Sequence, residues 1–108
     1  MTETHLKAVQ LVVDKHISQF EEGYFQPLSL LARMTEEVGE LAREVNHLYG
    51  QKRKRSDEKE NTIAHELSDI LFIVLCFANS LDVDMDVAFA EMMTKYETRD
   101  KDRWTLKT

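Results

Sequence analysis

The sequence predicts an all-α fold, a four-helix bundle, on three observations. Apolar residues recur at threes and fours in four separate segments, the pattern of helices that each bury one stripe. Breakers are scarce, with three glycines and one proline in 108 residues, too few for a sheet with many turns. Hydrophobic residues at 43% and charged residues at 31% suit one core wrapped in solvated helix faces, so residues 1–108 are expected to form a single domain.

The first helix is expected from about Thr2 to Phe20, with Leu6, Val9, Val13, Ile17 and Phe20 on one side. His5 and His16 lack partners at ligand spacing and read as surface or boundary residues. Glu21 to Pro27 forms a connection, in which Gly23 ends one helix and Pro27 starts the next. Phe20, Tyr24 and Phe25 cluster there, either packing over the bundle end or forming a wall on which a base stacks. The second helix is expected from Leu28 to Leu48, with Leu30, Met34, Val38, Leu41, Val45 and Leu48 as its apolar stripe. It contains Glu44-x-x-His47, the spacing used by carboxylate-bridged di-iron bundles. Those bundles need a second copy of the motif, which this chain lacks, so His47 is expected at the surface.

Gln51 to Glu60 holds KRKRSDEKE, a solvated loop with a basic and an acidic half. The third helix is expected from Thr62 to Leu81. From Ile70 to Ala78 it is apolar on every side, and such a helix must be covered on every side. The other helices of one small protomer do not suffice, so a second chain is expected at or near it, as a homodimer or a dimer of dimers. Asn79 reads as a polar helix-end residue. Asp82-Val83-Asp84 makes the next turn, with Asp84 as N-cap and Asp86 favourable in the first turn of the fourth helix. That helix carries Met85, Phe89, Met92, Met93 and Tyr96 as an adaptable core stripe. Lys95, Arg99 and Arg103 run along an adjoining line.

Two short stretches carry the chemistry. Glu37 and Glu40 stand three apart in the second helix, as do Glu66 and Asp69 in the third, so each pair shares a helix face. Both pairs lie in or beside an apolar stripe and point inward or nearly so. Two like charges about 4 Å apart at an effective dielectric of about 20 repel by roughly 4 kcal/mol. Four together oppose folding on the scale of a domain's whole stability, about 5–15 kcal/mol. Such acids protonate, pair with cations such as Arg33 and Arg43, or bind metal. All-oxygen ligands suit Mg²⁺, Ca²⁺ or Mn²⁺, and Mg²⁺ held by a few carboxylates shares its other positions with water and phosphate oxygens. A nucleoside polyphosphate is the natural ligand to consider.

Glu36-Glu37-Val38-Gly39-Glu40-Leu41, followed by Glu66-Leu67-Ser68-Asp69-Ile70-Leu71, resembles the E-x-x-E…E-x-x-D signature of the MazG-like all-α nucleoside triphosphate pyrophosphohydrolases. The resemblance runs from about Tyr24 to Arg103. It implies a Mg²⁺-dependent enzyme, with Mn²⁺ as a possible substitute, that cleaves a (deoxy)nucleoside triphosphate between its α- and β-phosphates. On that resemblance Glu37, Glu40, Glu66 and Asp69 are metal ligands, and Glu37 or Glu40 is also the candidate catalytic base. Lys95-Tyr96-Glu97-Thr98-Arg99 is similar to the family's K-F-E-x-R segment, which makes Lys95 and Arg99 candidates for binding the triphosphate. Phe25 and Gln26 fall where similar proteins border the base pocket. The chain departs from the pattern at Met93, where relatives often place an asparagine, and at Asp100, where an aromatic often follows the arginine. Trp104 is a base platform or a clasp on a neighbouring subunit. The basic loop is solvated, or lies over the site mouth and concentrates an anionic nucleotide. The rival classes are a silent helical interaction module and a nucleotide- or metal-binding regulator on the same fold.

A net charge of −6 argues against a nucleic-acid binder, which needs a basic face. Cys76, the single cysteine, excludes an intramolecular disulfide and reads as buried filler in a reducing compartment. Charges at Glu3, Lys7, Asp14 and Lys15 leave no apolar signal segment. The Ile70–Ala78 run is short of the roughly 20 residues that span a bilayer. A soluble cytoplasmic protein, with no membrane partner, is expected.

Overall fold

The computed structural model describes residues 4–55 and 62–108. Its helices are α1 (Leu6–Ser18), α2 (Pro27–Tyr49), α3 (Ile63–Ser80) and α4 (Met85–Asp100). The four expected helices are present, and the described residues contain no strand. The expected start of the first helix near Thr2 and the acidic half of the basic loop lie outside the described residues.

Local chemistry accounts for the helix ends. Pro27 takes the first position of α2, where its missing N–H would have had no intrahelical partner. The Thr62 side chain caps α3 by accepting from the His65 N–H at 3.1 Å. Asp84 caps α4 as expected, accepting from the N–H groups of Asp86 and Val87 at 2.9 and 3.3 Å. Asp86 caps a different helix: its Oδ1 accepts from the Leu6 N–H at 2.8 Å, closing the start of α1. Gly23 turns the α1–α2 connection at φ +62° and Asp82 the α3–α4 turn at φ +57°, a region that aspartate tolerates better than most residues.

Helix α3 is central. Its largest packing partner is α2, it also packs on α1, and α4 packs on α1. Val13, Leu30, Leu75 and Cys76 form the core, edged by Ile17, Tyr24, Phe72, Phe77 and Met85. The C-terminal half of α3 therefore lies in an apolar core, whereas its N-terminal half meets the acids of α2. By length and composition alone α3 would pass for a membrane span, contrary to the short run read from the sequence. Glu66 and Asp69 in its first turns, and its packing against two other helices, make it the core helix.

Two expectations about packing need correction. Of the apolar stripe expected on α2, only Leu30 is fully buried, and Val38, Val45 and Leu48 are exposed. Helix α2 instead turns Leu30, Glu37 and Glu44 inward, three residues at seven-residue spacing. Likewise α4 buries none of its residues, and Phe89, Met92 and Tyr96 of its expected core stripe are exposed. The physical reason is the open shape of the protomer, with a radius of gyration of 17.6 Å against about 13 Å for a compact chain of this length.

Candidate metal centre

The carboxylates meet where the middle of α2 crosses the first turns of α3. Glu37, Glu40, Glu66 and Asp69 each offer one oxygen, and these oxygens all lie within 4.8 Å of one another. Glu66 is 1% exposed, Glu37 and Glu40 are half-buried, and Asp69 is open to solvent. The cluster thus has a sealed floor and one accessible edge. The two i, i+3 pairs fall on facing helix surfaces, as their spacing requires.

Two oxygens in this cluster, Glu37 Oε2 and Glu66 Oε2, are buried without a hydrogen-bond partner. A buried acceptor left unsatisfied is destabilising by about 1–3 kcal/mol, more if charged. Glu37 Oε1 has a cation at 3.8 Å, Arg33 Nη2 one turn earlier on α2. Burial pushes the Glu37 carboxyl above its ordinary range, with Glu40 and Asp69 adding to the rise and Arg33 opposing it. Burial likewise raises Glu66, and repulsion from Glu40, Asp69 and Glu37 acts in the same direction. An oxygen-lined cluster with orphaned buried acceptors fits a hard divalent cation, whose charge relieves the repulsion and satisfies the free oxygens.

The other site candidates fall elsewhere. Phe25 edges a cavity of about 80 Å³ formed with Ile17, Tyr24, Leu30, Arg33, Phe72, Ile73 and Cys76, below the roughly 300–1,000 Å³ of small-molecule sites. Gln26 is the exposed residue preceding α2 and makes no side-chain cap. Lys95 and Arg99 are exposed on α4, where Arg99 Nε donates to Asp100 Oδ1 at 2.9 Å and its guanidinium stacks 4.6 Å from the Tyr96 ring centroid. Within one protomer α4 packs on α1. His47, expected at the surface, is half-buried with both ring nitrogens sealed from solvent.

Sequence reasoning missed Gln10 and passed over the reach of Lys54. Gln10, 2% exposed, ties three elements: its Nε2 donates to Asn79 Oδ1 and to the Val83 carbonyl, and its Oε1 accepts from the Met85 N–H. Its signal was a lone polar residue in register with Leu6, Val13 and Ile17. Lys54 Nζ lies 3.6 Å from Glu44 Oε2, a buried carboxylate one turn beyond Glu40. The sequence leaves the basic loop either solvated or over the site mouth and names no partner for Lys54.

A family model for the MazG nucleotide pyrophosphohydrolase domain matches residues 25–104. An uncharacterised Bacillus subtilis protein, YpjD, is 51% identical over 107 residues, covering 99% of this chain and 96% of that one. A crystal structure of Bacillus subtilis YpjD, provisionally assigned as a pyrophosphatase, superposes with a TM-score of 0.76 at 48% identity, covering 89% of this chain and 98% of that one. A Bacillus-conserved MazG protein, described as a nucleotide pyrophosphohydrolase, superposes with a TM-score of 0.75 at 50% identity, covering 95% of this chain and 100% of the other.

Proposed function

The chain belongs to the MazG nucleotide pyrophosphohydrolase family, and we propose that it is a Mg²⁺-dependent hydrolase converting (deoxy)nucleoside triphosphates to monophosphates and pyrophosphate. Glu37, Glu40, Glu66 and Asp69 would hold the ion, with Mn²⁺ as a substitute. The observation that carries this reading is Glu66: a carboxyl 1% exposed, with one oxygen orphaned, inside a group of four acids. A bundle core has no use for such a group without a counter-charge.

Bound there, the ion would neutralise polyphosphate charge and acidify a water. Glu66, sealed at the floor, is a fixed ligand, and Asp69 at the open edge meets solvent and substrate. Glu37 and Glu40 are the acids from which the acceptor of the water's proton comes. Arg33 lies 3.8 Å from Glu37 Oε1, and Glu37 Oε2 is buried without a hydrogen-bond partner, which leaves it available to an ion.

The exposed apolar face of α2 supports a homodimer, alone or as half of a dimer of dimers. Leu31, Val38 and Val45 alternate with Met34, Leu41 and Leu48 at heptad spacing, the seam that pairs helices. In this reading Lys95 and Arg99 reach the polyphosphate from a second copy, and Phe25 and Gln26 border the base. The lone buried thiol of Cys76 suits a reducing compartment, which supports a cytoplasmic enzyme, and cleaning of the nucleotide pool is the role we propose for it. The deciding experiment incubates a panel of canonical and damaged nucleoside triphosphates with the protein, with and without Mg²⁺. Release of pyrophosphate only with the ion is the expected result, and metal-dependent binding without turnover would select a regulator instead.

A further inference from the structure

Helix α2 has cations at both ends of its acidic face. Arg33 lies beside Glu37 at one end, and at the other Lys54 reaches back from the segment after α2 to lie 3.6 Å from Glu44. Glu44 stands four residues beyond Glu40 and seven beyond Glu37, about 6 and 10 Å along the axis on the same face. Its side chain is 4% exposed and that of Lys54 is 21% exposed. This is a largely desolvated pair, unlike the solvated surface pairs that contribute almost nothing. At 3.6 Å, beyond ordinary charge-assisted hydrogen-bond length, Lys54 is attracted without being locked, and its ammonium has three donors to direct. Lys95 and Arg99, by contrast, lie on a helix that packs on α1.

We infer that Lys54 is a further substrate-binding residue, a phosphate contact supplied by the same protomer as the carboxylates, and that Glu44 is a positioning residue that docks it there. The inference rests on the polyphosphate chemistry proposed above. Four acids that bind a metal supply no hydrogen-bond donors to an anionic ligand, and an ammonium docked on the same helix face supplies them. Glu44 is not among the four acids whose oxygens gather, and the cation beside its buried carboxylate is Lys54. Without Glu44 the segment 51–55 keeps its charge but loses its anchor on α2.

Steady-state kinetics on Lys54→Ala, Lys54→Arg, Glu44→Gln and the double variant test this, together with Mn²⁺ binding followed by electron paramagnetic resonance and inorganic pyrophosphate binding in Mg²⁺ followed by calorimetry. Lys54→Ala should raise KM about tenfold, as for a lost charged hydrogen bond, with a smaller change in kcat and unchanged Mn²⁺ affinity. Lys54→Arg should restore most of the loss. Glu44→Gln should shift KM in the same direction, and the double variant should be no worse than Lys54→Ala, since the two act through one contact. A turning-over enzyme whose KM and pyrophosphate affinity ignore Lys54→Ala would overturn the inference and leave the proposed reaction standing. Should no triphosphate be hydrolysed, the reaction assignment fails instead. Pyrophosphate binding still decides on Lys54: a loss in Lys54→Ala supports the contact and no change removes it.

Discussion

Gln10 and Asn79 exchange hydrogen bonds across the α1–α3 contact: Gln10 Nε2 donates to Asn79 Oδ1 at 3.0 Å, and Asn79 Nδ2 donates to the Gln10 carbonyl at 2.9 Å. Asn79 also donates to the Tyr24 hydroxyl, which donates to Asp14 Oδ1 at 2.7 Å. Burial, with the Asp14 bond, pushes the Tyr24 phenol up to about 12, keeping it a neutral donor. This knot joins α1, the α1–α2 connection, α3 and the start of α4. Gln10→Leu keeps the volume but strands Asn79 Oδ1, the Val83 carbonyl and the Met85 N–H. It should destabilise by about 2–4 kcal/mol, seen as a lower urea midpoint, with activity retained in the fraction still folded.

The metal-free protein should lose stability as pH rises. Glu37 and Glu66 have raised proton affinities in the folded state, so above the ordinary value of 4.5 the folded chain holds protons that the unfolded chain has released. Their favourable contribution is complete below that value and disappears as pH climbs through the raised ones. Asp86, lowered mainly by the Thr4 hydroxyl, acts oppositely and only as pH falls into the acid range. Thermal unfolding in chelator across that window should show the decline, and Glu66→Gln should flatten it. Saturating Mg²⁺ should reverse the slope, because the ligands bind it deprotonated. A pH-independent difference between metal-free and metal-loaded protein would contradict the assignment of these acids.

Glu40→Gln and Asp69→Asn should abolish turnover while the helical signal persists, and each should leave the metal-free protein as stable as the parent or more so. Removing one negative charge from the cluster relieves repulsion, whereas the bound ion loses a ligand. Wild-type activity at low Mg²⁺ in either variant would place that residue outside the site.

Self-association should run through α2. Leu31→Glu with Val38→Glu places two charges on the heptad seam, where Val38 is 49% exposed in the isolated protomer. Sedimentation should show the parent as a dimer or larger and the double variant shifted toward 12.6 kDa. A parent that sediments as a monomer at micromolar concentration removes the second copy from the site.

The helices and the four carboxylates were legible because each is a local pattern: i, i+3 acids share a face wherever the helix goes. Which face of α2 turns inward was not. The apolar stripe through Val38 and Val45 promised the core, and hydrophobicity alone would have put it against α3. In the protomer Glu37 and Glu44 occupy that place, as the proposed ion and second chain would require. Gln10 and Lys54 were hidden for another reason. Their partners, Asn79 and Met85 for one and Glu44 for the other, are set by tertiary approach and leave no periodic trace.

The final prediction concerns which bond is cut. A carboxylate cluster that binds Mg²⁺ could serve attack at any phosphorus of a triphosphate, so the leaving group is set by the cations that hold the far phosphates. Lys95 and Arg99, spaced one turn apart on α4, suit the β- and γ-phosphates as one unit, and charge developing on departing pyrophosphate is what such donors stabilise. Products should be nucleoside monophosphate and pyrophosphate, with inorganic phosphate appearing only after a pyrophosphatase is added. Lys95→Ala and Arg99→Ala should each weaken kcat/KM by about 1–3 kcal/mol. If both lysines contact the phosphates, Lys54→Ala should act mainly on KM, as for a contact of equal strength in ground and transition states, and Lys95→Ala should also reduce kcat, as for a contact that strengthens while pyrophosphate departs. Early phosphate release with accumulation of the nucleoside diphosphate would contradict the bond assignment, even in an enzyme whose four acids bind the ion.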